Sequence, residues 1–400
     1  MNNLLLWILS LGHMVVDLNQ GALPIFLPYL EESFNLSYFQ IGLVTLFFTF
    51  SSAIIQPLFG VASDKFSMPW LMPLGLFLAG IGMAFVGWVD SFALLLAAVL
   101  ISGLGVAAYH PEGSKVTHFA SIGRLEGTSM AVFAVGGNVG IGLGPILAAF
   151  LIGGGTLKGS WGMLIPGALV GLLFLFLLPK INQVLDSGKL VQQQTLASTS
   201  EIKGSNRGPL AILIAFVIFR SWIHASLLNF IPFYFPRFRG TTDEYAAFLL
   251  TAFLIAGAVG TILGGPIADK LGLKTSLIGS MVLTGLTTFP FLHLSGFWAA
   301  ILAVINGAAL ISTFSITVVF GQKLMPNNVG VASGLMLGFA IGTGSVGVVV
   351  LGAVADQFGL PFTLNMVSLF PIAAVILASL LPEPGSKKEA PSTEPQPMEK

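Results

Sequence analysis

The sequence predicts an all-α polytopic membrane protein, and its composition is the first reason. Of 400 residues, 55% are apolar and only 8% are charged, whereas a soluble domain carries roughly 25% charged residues. Five long stretches carry no charge: 33–63, 127–157, 275–322, 324–355 and 357–382. Each is at least as long as the ~20 residues that a spanning helix needs. The net charge of zero argues against a nucleic-acid partner.

Twelve spanning helices are expected from these apolar stretches and the breaks between them. The first span lacks the basic start of a secretory signal peptide, so we expect it to remain in the chain. The 48-residue stretch 275–322 is too long for one helix and is divided near Pro290. The predicted spans are 4–30, 40–62, 70–89, 92–113, 126–152, 161–179, 209–236, 245–268, 275–292, 297–321, 329–355 and 360–381.

The placement of Lys and Arg predicts the orientation of the chain. With the N-terminus in the cytoplasm, thirteen of the 17 basic residues lie on the cytoplasmic side, and one, Arg220, lies within a span. Only Lys158, Arg237 and Arg239 then lie outside. Because basic residues favour cytoplasmic loops, both termini are expected in the cytoplasm. The chain has no cysteine, so redox usage does not indicate a compartment.

A weak internal repeat predicts two similar halves. Three features recur at offsets of 208, 205 and 203 residues: a proline pair (24/28 and 232/236), a Gly-x-x-x-Asp-Lys sequence (60–65 and 265–270) and a Leu-Pro pair (178–179 and 381–382). Parallel halves of this kind are typical of one large transporter architecture. We therefore expect four segments: a six-helix half at 1–180, a polar cytoplasmic linker at 181–208, a second six-helix half at 209–381 and a disordered tail at 382–400.

The repeated Gly-x-x-x-Asp-Lys sequence resembles the loop motif of the major facilitator superfamily. The second copy continues as Leu-Gly-Leu-Lys at 271–274, close to the family's glycine and basic run, whereas Phe-Ser-Met-Pro-Trp at 66–70 departs from it. That departure, Tyr-His-Pro-Glu-Gly-Ser at 109–114 and the glycine pattern at 136–145 are similar to the fosmidomycin-resistance subfamily. The resemblance implies two halves that rock around a midplane site lined by spans 1, 4, 7 and 10, in a bacterial inner membrane.

A polar stripe runs along one face of the first span. His13, Asp17 and Gln20 are spaced by four and three residues, and Pro24 and Pro28 continue the same face. Lipid offers no hydrogen-bond partners, so this face must point to a cavity or to the bundle interior. Asp17 is either a proton carrier or a member of a fixed structural network. The resemblance favours proton coupling by Asp17 and substrate contacts by His13 and Gln20.

A second polar cluster closes the fourth span. Tyr109, His110 and Glu112 follow an uncharged apolar run at 92–108, and the Pro111–Gly113 segment predicts that the helix ends there. Glu112 is either a helix-end acid that reaches lipid headgroups or pairs with Lys115, or it releases protons toward the cytoplasm together with His110. Tyr109 is a candidate substrate contact.

The seventh span supplies the opposite charge. Arg220 and His224 lie one helical turn apart near its middle. A central Arg costs about 2.5–3.5 kcal/mol on insertion scales, so it must be paired or hydrated. Two interpretations stay open: Arg220 is a fixed ion-pair partner of Asp17 or Glu112, or with His224 it binds an anionic substrate through its planar fork of donors.

Two further sets of residues complete the expected sites. The glycines of the fifth span predict close helix packing and partly resemble the superfamily's antiporter motif, while Asn138 is a lesser substrate-site candidate. The loop motifs are expected to act as a conformational latch between the halves. Their latch residues are Asp64, Lys65, Asp269 and Lys270.

These observations together predict a monomeric, proton-coupled exporter of small drugs, with fosmidomycin-like phosphonates implied by the resemblance. Its expected partners are the substrate, protons and the lipid bilayer, and no cofactor or metal is expected. A proton-coupled or passive carrier of a nutrient or metabolite is the alternative on the same scaffold. A membrane enzyme is disfavoured, because His13 and Asp17 are one residue short of the His-x4-Asp acyltransferase spacing and no zinc or nucleophile-elbow motif is present.

Overall fold

A computed structural model describes residues 3–66, 68–121, 126–153, 156–195, 207–325, 336 and 340–382. A π-helical turn, Phe50–Ile54, joins α2 to α3, and a 3-10 segment, Leu157–Met163, leads into α7. The described helices are α1 (Asn3–Phe34), α2 (Tyr38–Thr49), α3 (Gln56–Phe66), α4 (Leu71–Phe85), α5 (Phe92–Ser121), α6 (Glu126–Ile152), α7 (Leu164–Thr195), α8 (Arg207–Arg239), α9 (Asp243–Leu271), α10 (Leu273–His293), α11 (Gly296–Leu324), α12 (Ala340–Phe358), α13 (Leu360–Val367) and α14 (Phe370–Leu380).

These helices group into twelve candidate membrane spans, with α1 and α4 added to ten that qualify by length and composition. Ten segments of the described chain are long and apolar enough to span a membrane; α2 with α3 forms one of them, and α13 with α14 forms another. Helix α4 is apolar but has only 15 residues. Helix α1 is 32 residues long and carries the polar stripe. The predicted all-α membrane fold with twelve helices is confirmed.

Apolar side chains cover the outer surface of this fold as well as filling its core. Phe176 is 82% exposed and Phe150 is 79% exposed, both on the outer surface of the bundle. Asp17, Glu112 and Arg220 are instead buried. This distribution is expected when lipid surrounds the bundle, because lipid accepts apolar side chains and offers no hydrogen-bond partners to polar ones.

The prediction that the fourth span ends at Pro111 and Gly113 was wrong. Helix α5 continues through Pro111 to Ser121. A proline removes one backbone donor, and in water the chain then leaves the helix readily. Within a membrane bundle the neighbouring backbone groups gain no water by unwinding, so the helix is kept. As a consequence Tyr109, His110 and Glu112 lie on one continuous helix.

Helix α7 also extends beyond its predicted end. It continues to Thr195, so residues 181–195 of the expected linker are helical. Residues 196–206 of that linker and the expected tail beyond Pro382 lie outside the described residues. The domain boundaries therefore stay a prediction.

The glycines of α6 permit its backbone to lie against α1, which confirms the predicted close packing. A Cβ atom added to Gly140 would lie 2.1 Å from the carbonyl oxygen of Met14, and one added to Gly136 would lie 2.2 Å from that of Ser10. Gly21 of α1 has the same relation to the carbonyl oxygen of Ile141, at 2.0 Å. Small residues are how membrane helices reach such separations. The polar stripe of α1 is thereby held against α6 in a fixed register.

Helices α1–α7 meet helices α8–α14 along two main seams. Helix α2 packs against α12, and α6 packs against α9, while α1 also contacts α8. Gly42 of α2 lies so close to α12 that an added Cβ would be 2.6 Å from the Cα atom of Val349. A buried hydrogen bond from Thr45 to Asn229, 2.9 Å long, joins α2 to α8. The candidate site lies among the helices that these seams bring together.

Substitution of Gly140 by alanine tests the contact between α1 and α6. The added methyl group must push two backbones apart, so Gly140→Ala should destabilise the protein by about 1–3 kcal/mol and lower its apparent melting temperature in detergent by several degrees. Gly279→Ala is the control, because nothing lies within 4 Å of a Cβ at this mid-helix position. Equal melting temperatures for the two variants would contradict the close packing.

Candidate functional site

The polar stripe of α1 meets α5 in a cluster of two imidazoles and one carboxylate. His13 Nε2 lies 3.2 Å from Asp17 Oδ2, and His110 Nε2 lies 3.0 Å from Asp17 Oδ1. His13 and Asp17 are one helical turn apart on α1, so they share a face. Asp17 is 4% exposed. Each oxygen of a buried carboxylate thus has a nitrogen partner, as a buried charge requires.

Backbone and aromatic contacts fix the geometry of this cluster. His13 Nδ1 lies 2.7 Å from the carbonyl oxygen of Phe133 on α6, and its ring stacks on that of Phe133 with centroids 4.2 Å apart. The hydroxyl of Tyr109 donates a 2.7 Å hydrogen bond to the carbonyl oxygen of Leu9. This bond ties α5 to α1 one residue before His110. Tyr109 is fully buried, so it holds the cluster in position instead of presenting a free surface to a substrate.

The cluster has the donor atoms of a metal site but the distances of a hydrogen-bonded group. The ligand atoms of His13, Asp17 and His110 all lie within 4.8 Å of one another, so they could hold a cation. Both imidazole–carboxylate distances, however, are those of direct N–H···O contacts. A proton shared between these groups fits the observed geometry without any rearrangement.

Glu112 does not join the Asp17 cluster, although it lies half a turn beyond His110. Its side chain is fully buried, and Oε1 accepts a 3.0 Å hydrogen bond from the backbone N–H of Met68. Oε2 has no hydrogen-bond partner among the described residues. Glu112 therefore ties α5 to the connection between α3 and α4.

Arg220 lies in the second half, and no acidic side chain among the described residues forms an ion pair with it. The side chain is fully buried, and its guanidinium carbon lies 3.5 Å from the ring centroid of Phe314. Nη2 donates a 3.1 Å hydrogen bond to the hydroxyl of Ser221. Nε and Nη1 have no hydrogen-bond partner among the described residues. The structure shows no ion pair of Arg220 with Asp17 or Glu112: Asp17 is paired with two imidazoles, and Glu112 bonds through Oε1 to the backbone of Met68.

Three further residues were predicted to contact the substrate: His224, Gln20 and Asn138. The His224 ring packs against the same Phe314, with centroids 5.5 Å apart, and stacks on Phe253 at 5.9 Å. Gln20 and Asn138 are partly exposed and make no hydrogen bond to other described residues. Phe133, Ser221 and Phe314 were not predicted, because an apolar ring or a small hydroxyl in an apolar span carries no distinctive sequence signal.

The fold agrees with comparisons to known proteins. The model of the Major Facilitator Superfamily matches residues 9–345 and 239–399. The chain belongs to this superfamily. The predicted major facilitator fold in two six-helix halves is thereby confirmed, and so is the prediction that the protein is a multi-pass membrane transporter and not an enzyme.

Two relatives show which part of the superfamily this chain resembles. It is 34% identical to the fosmidomycin resistance protein of Escherichia coli over 370 residues, 92% of this chain and 90% of the relative. It is 33% identical to the MFS-type transporter YfnC of Bacillus subtilis, over 96% of this chain and 94% of that one. The predicted likeness to the fosmidomycin-resistance subfamily is confirmed. The inward-open xylose transporter XylE of E. coli has a TM-score of 0.71 over 96% of this chain and 97% of its own, at 15% identity, which shows the fold alone.

The loop residues predicted to form the latch between the transporter's halves are only partly described. Asp269 and Lys270 are exposed and make no hydrogen bond or ion pair with other described residues. The side chains of Asp64 and Lys65 lie outside the described part of the chain. A latch role for these four residues stays a prediction.

Polar contacts join the halves at the other ends of α1 and α8. Arg237 forms an ion pair with Glu31, in which Nη1 and Nη2 each donate a hydrogen bond to one carboxylate oxygen. The hydroxyl of Tyr29 donates a 2.5 Å hydrogen bond to Asp243 Oδ2. The sequence did carry a signal for this ion pair. Glu31 and Arg237 each follow one copy of the repeated proline pair, at equivalent ends of α1 and α8.

A third contact on this side uses the start of a helix. Asp356, near the end of α12, accepts hydrogen bonds from the backbone N–H groups of Tyr38, at 2.7 Å, and Phe39, at 3.0 Å. These are the first residues of α2, where unsatisfied donors and the helix dipole favour a negative charge. The side of the bundle at which α1 and α8 end is therefore closed by charged contacts between the halves.

Removal of the Glu31 charge should favour opening on this side. Glu31→Gln loses the charge-assisted pair with Arg237, so the two helix ends should separate in a larger fraction of molecules. Spin labels on cysteines placed at Ser33 and Phe238 would report this as a longer distance in pulsed electron resonance.

Glu32→Gln is the matched control for that measurement. Glu32 is an exposed neighbouring acid that makes no ion pair with the described residues. If both variants keep the wild-type distance distribution, the ion pair does not hold the closed state.

Proposed function

We propose that this transporter is a proton-coupled exporter of small anionic drugs, with phosphonates of the fosmidomycin type as the leading substrate class. The observation that carries this proposal is Arg220, a fully buried guanidinium with two nitrogens that lack hydrogen-bond partners among the described residues. The 34% identity to the fosmidomycin resistance protein supports the substrate class.

The unsatisfied donors of Arg220 favour an anionic ligand. A buried donor left without a partner costs roughly 1–3 kcal/mol, and more when the group is charged. A phosphonate or carboxylate presents two oxygens in the geometry that a guanidinium fork matches. Ser221 and His224 add polar groups on the same helix. Phe314 would flank the ligand with an apolar surface, as is usual in small-molecule sites.

The carboxylate of Asp17 is the proposed carrier of the driving proton. It lies on α1 of the first half, whereas Arg220 lies on α8 of the second half, and these two helices contact each other. Rocking of the halves would change the distance between the proton site and the substrate site. In this proposal, protons enter from outside and leave toward the cytoplasm while the anion moves outward, and Glu112 tunes proton release at the end of the path.

The proposed orientation rests on the distribution of basic residues. Thirteen of 17 Lys and Arg residues fall on the side of the N-terminus, which we assign to the cytoplasm of a bacterial cell. The closed side, where Glu31 meets Arg237, then faces the exterior. The protein would act as a monomer.

A carrier of an anionic metabolite is the second candidate, and the same Arg220 favours it. A guanidinium fork binds a phosphate ester or a carboxylate by the same contacts as a phosphonate. A substrate panel in the assay below distinguishes the two.

Replacement of Arg220 by lysine tests the anion site. The charge is retained, but the fork of donors is lost, so the Kd for a bidentate anion should rise about 10–100-fold, equivalent to about 1.4–2.7 kcal/mol. Calorimetry on detergent-purified protein would compare a phosphonate, a phosphate monoester and a carboxylate, and the tightest class identifies the substrate.

Arg239→Lys serves as the matched control, since Arg239 donates to the Leu292 carbonyl oxygen and to Tyr234 away from the proposed site. Its Kd values should stay within about twofold of wild type. Unchanged affinity of Arg220→Lys for every anion in the panel would make Arg220 a structural residue and end the proposal for the substrate class.

A further inference from the structure

The hydrogen bond between His13 and Phe133 determines which ring nitrogen of His13 carries a proton. His13 Nδ1 lies 2.7 Å from the carbonyl oxygen of Phe133. A carbonyl oxygen can only accept, so Nδ1 must be the donor. The ring also stacks on Phe133 at 4.2 Å, which restricts its rotation. In the neutral imidazole, Nε2 is therefore the nitrogen without a hydrogen.

This tautomer leaves the contact between His13 and Asp17 incomplete. Nε2 of His13 faces Asp17 Oδ2 at 3.2 Å. If the imidazole is neutral and the carboxylate ionised, a lone pair on His13 Nε2 faces a lone pair on Asp17 Oδ2. Water does not relieve this repulsion, because Asp17 is only 4% exposed. One additional proton removes this repulsion, whether it resides on Nε2 or on Oδ2, because either position makes a hydrogen bond.

His110 differs from His13 in this respect. Its Nε2 lies 3.0 Å from Asp17 Oδ1, and its Nδ1 makes no hydrogen bond to the described residues. Neutral His110 can therefore take the Nε2–H tautomer and donate to the carboxylate. No additional proton is needed on this side of Asp17. The two imidazoles flank one carboxylate, but only the His13 contact requires a further proton.

Among the described side chains, no other ionisable group bonds directly to His13 Nε2 or Asp17 Oδ2. Helix α5 contributes Tyr109, whose hydroxyl donates to Leu9, and Glu112, which bonds to Met68. The described contacts from helix α6 are made by the backbone and ring of Phe133 and by the backbone of Gly137, none of which is ionisable. Helix α4 has no ionisable residue. The other packing partners of α1 are α2, α7, the 3-10 segment before it, and α8, and none of their described ionisable side chains bonds to Asp17.

We infer that the exchangeable proton of the coupling site lies between His13 Nε2 and Asp17 Oδ2. This assigns His13 to proton binding, whereas the sequence pattern had placed it with the substrate contacts and His110 with the proton. Gly137 covers this contact closely, since a Cβ there would lie 2.5 Å from His13 Nε2 and 2.7 Å from Asp17 Oδ2. Loss of the proton would therefore strain the packing of α1 on α6. The transport role of this proton rests on the proposed function, but its location does not.

Nitrogen magnetic resonance of histidine-labelled protein tests the location directly. The chain has five histidines, so substitution assigns each signal. Purified wild-type protein in lipid nanodiscs, without substrate, should show His13 Nδ1 protonated at every pH, while its Nε2 signal changes as the shared proton is bound and released. A His13 Nε2–H tautomer with an unprotonated Nδ1, or an Nε2 signal that does not change with pH, would overturn the inference.

Transport in proteoliposomes separates the roles of the two imidazoles. His13→Gln places a non-titrating amide beside Asp17, so pH-gradient-driven accumulation should fall at least tenfold, while substrate exchange at equal pH is retained. His110→Gln should lower the rate and yet keep the wild-type ratio of protons to substrate. His293→Gln is the control, because His293 lies at the end of α10 and bonds to its own helix at Phe289.

The remaining outcomes have equally definite meanings. Loss of gradient dependence in His110→Gln with retention in His13→Gln would reverse the assignment and contradict the inference. Loss of wild-type transport on addition of a chelator would show that a metal ion, and not a proton, lies between the two side chains. Absence of transport for every anion would refute the proposed function, while the resonance experiment would still decide where the proton lies.

Discussion

The need to neutralise a carboxylate inside the membrane is the constraint on which the first half depends. Asp17 is buried, and an isolated ionised carboxylate in an apolar medium is strongly unfavourable. Its two oxygens are matched by His13 from the same helix and by His110 from α5. Close packing of α1 against α6 through glycines places Phe133 where it fixes the His13 ring. The register of α1 against α6 and the neutralisation of Asp17 therefore depend on each other.

The buried charge of the second half, Arg220, lacks a counter-charge among the described residues. Arg220 has an aromatic ring and one hydroxyl as partners, and no carboxylate among the described residues. In our proposal this difference is functional. A proton and two imidazoles neutralise Asp17 in the first half, whereas Arg220 in the second half is neutralised when an anionic substrate binds. The charged contacts of Glu31 and Asp356 close one side of the bundle without using either centre. Opening that side therefore need not break the Asp17 cluster.

Much of the fold could be predicted from the sequence because a bilayer imposes a simple rule on length and polarity. The helix count follows from where charge is absent, the two halves follow from the internal repeat, and the burial of Asp17 and Arg220 follows from the cost of charge in lipid. The end of α5 was not predictable from Pro111, because a proline stops a helix only when water or a turn can replace the lost bond.

The partners of each charge could not be predicted from spacing on one helix. His110 lies 93 residues from Asp17, and Phe133 lies 120 residues from His13. Such contacts depend on how α5 and α6 pack against α1, which glycine positions favour but do not specify. For the same reason the sequence did not reveal that Glu112 bonds to a backbone N–H while Asp17 bonds to two imidazoles.

Proton coupling by Asp17 is the central claim, and the Asp17→Asn variant in proteoliposomes tests it most directly. Anion accumulation would be measured with an imposed pH gradient and, separately, anion exchange at equal pH. The account predicts that accumulation is lost while exchange is retained, because rocking of the halves does not need the proton once the carboxylate is neutral. Asp90→Asn, at an exposed position before α5, should behave as wild type. Full gradient-driven accumulation by Asp17→Asn, with the wild-type pH dependence, would contradict the account.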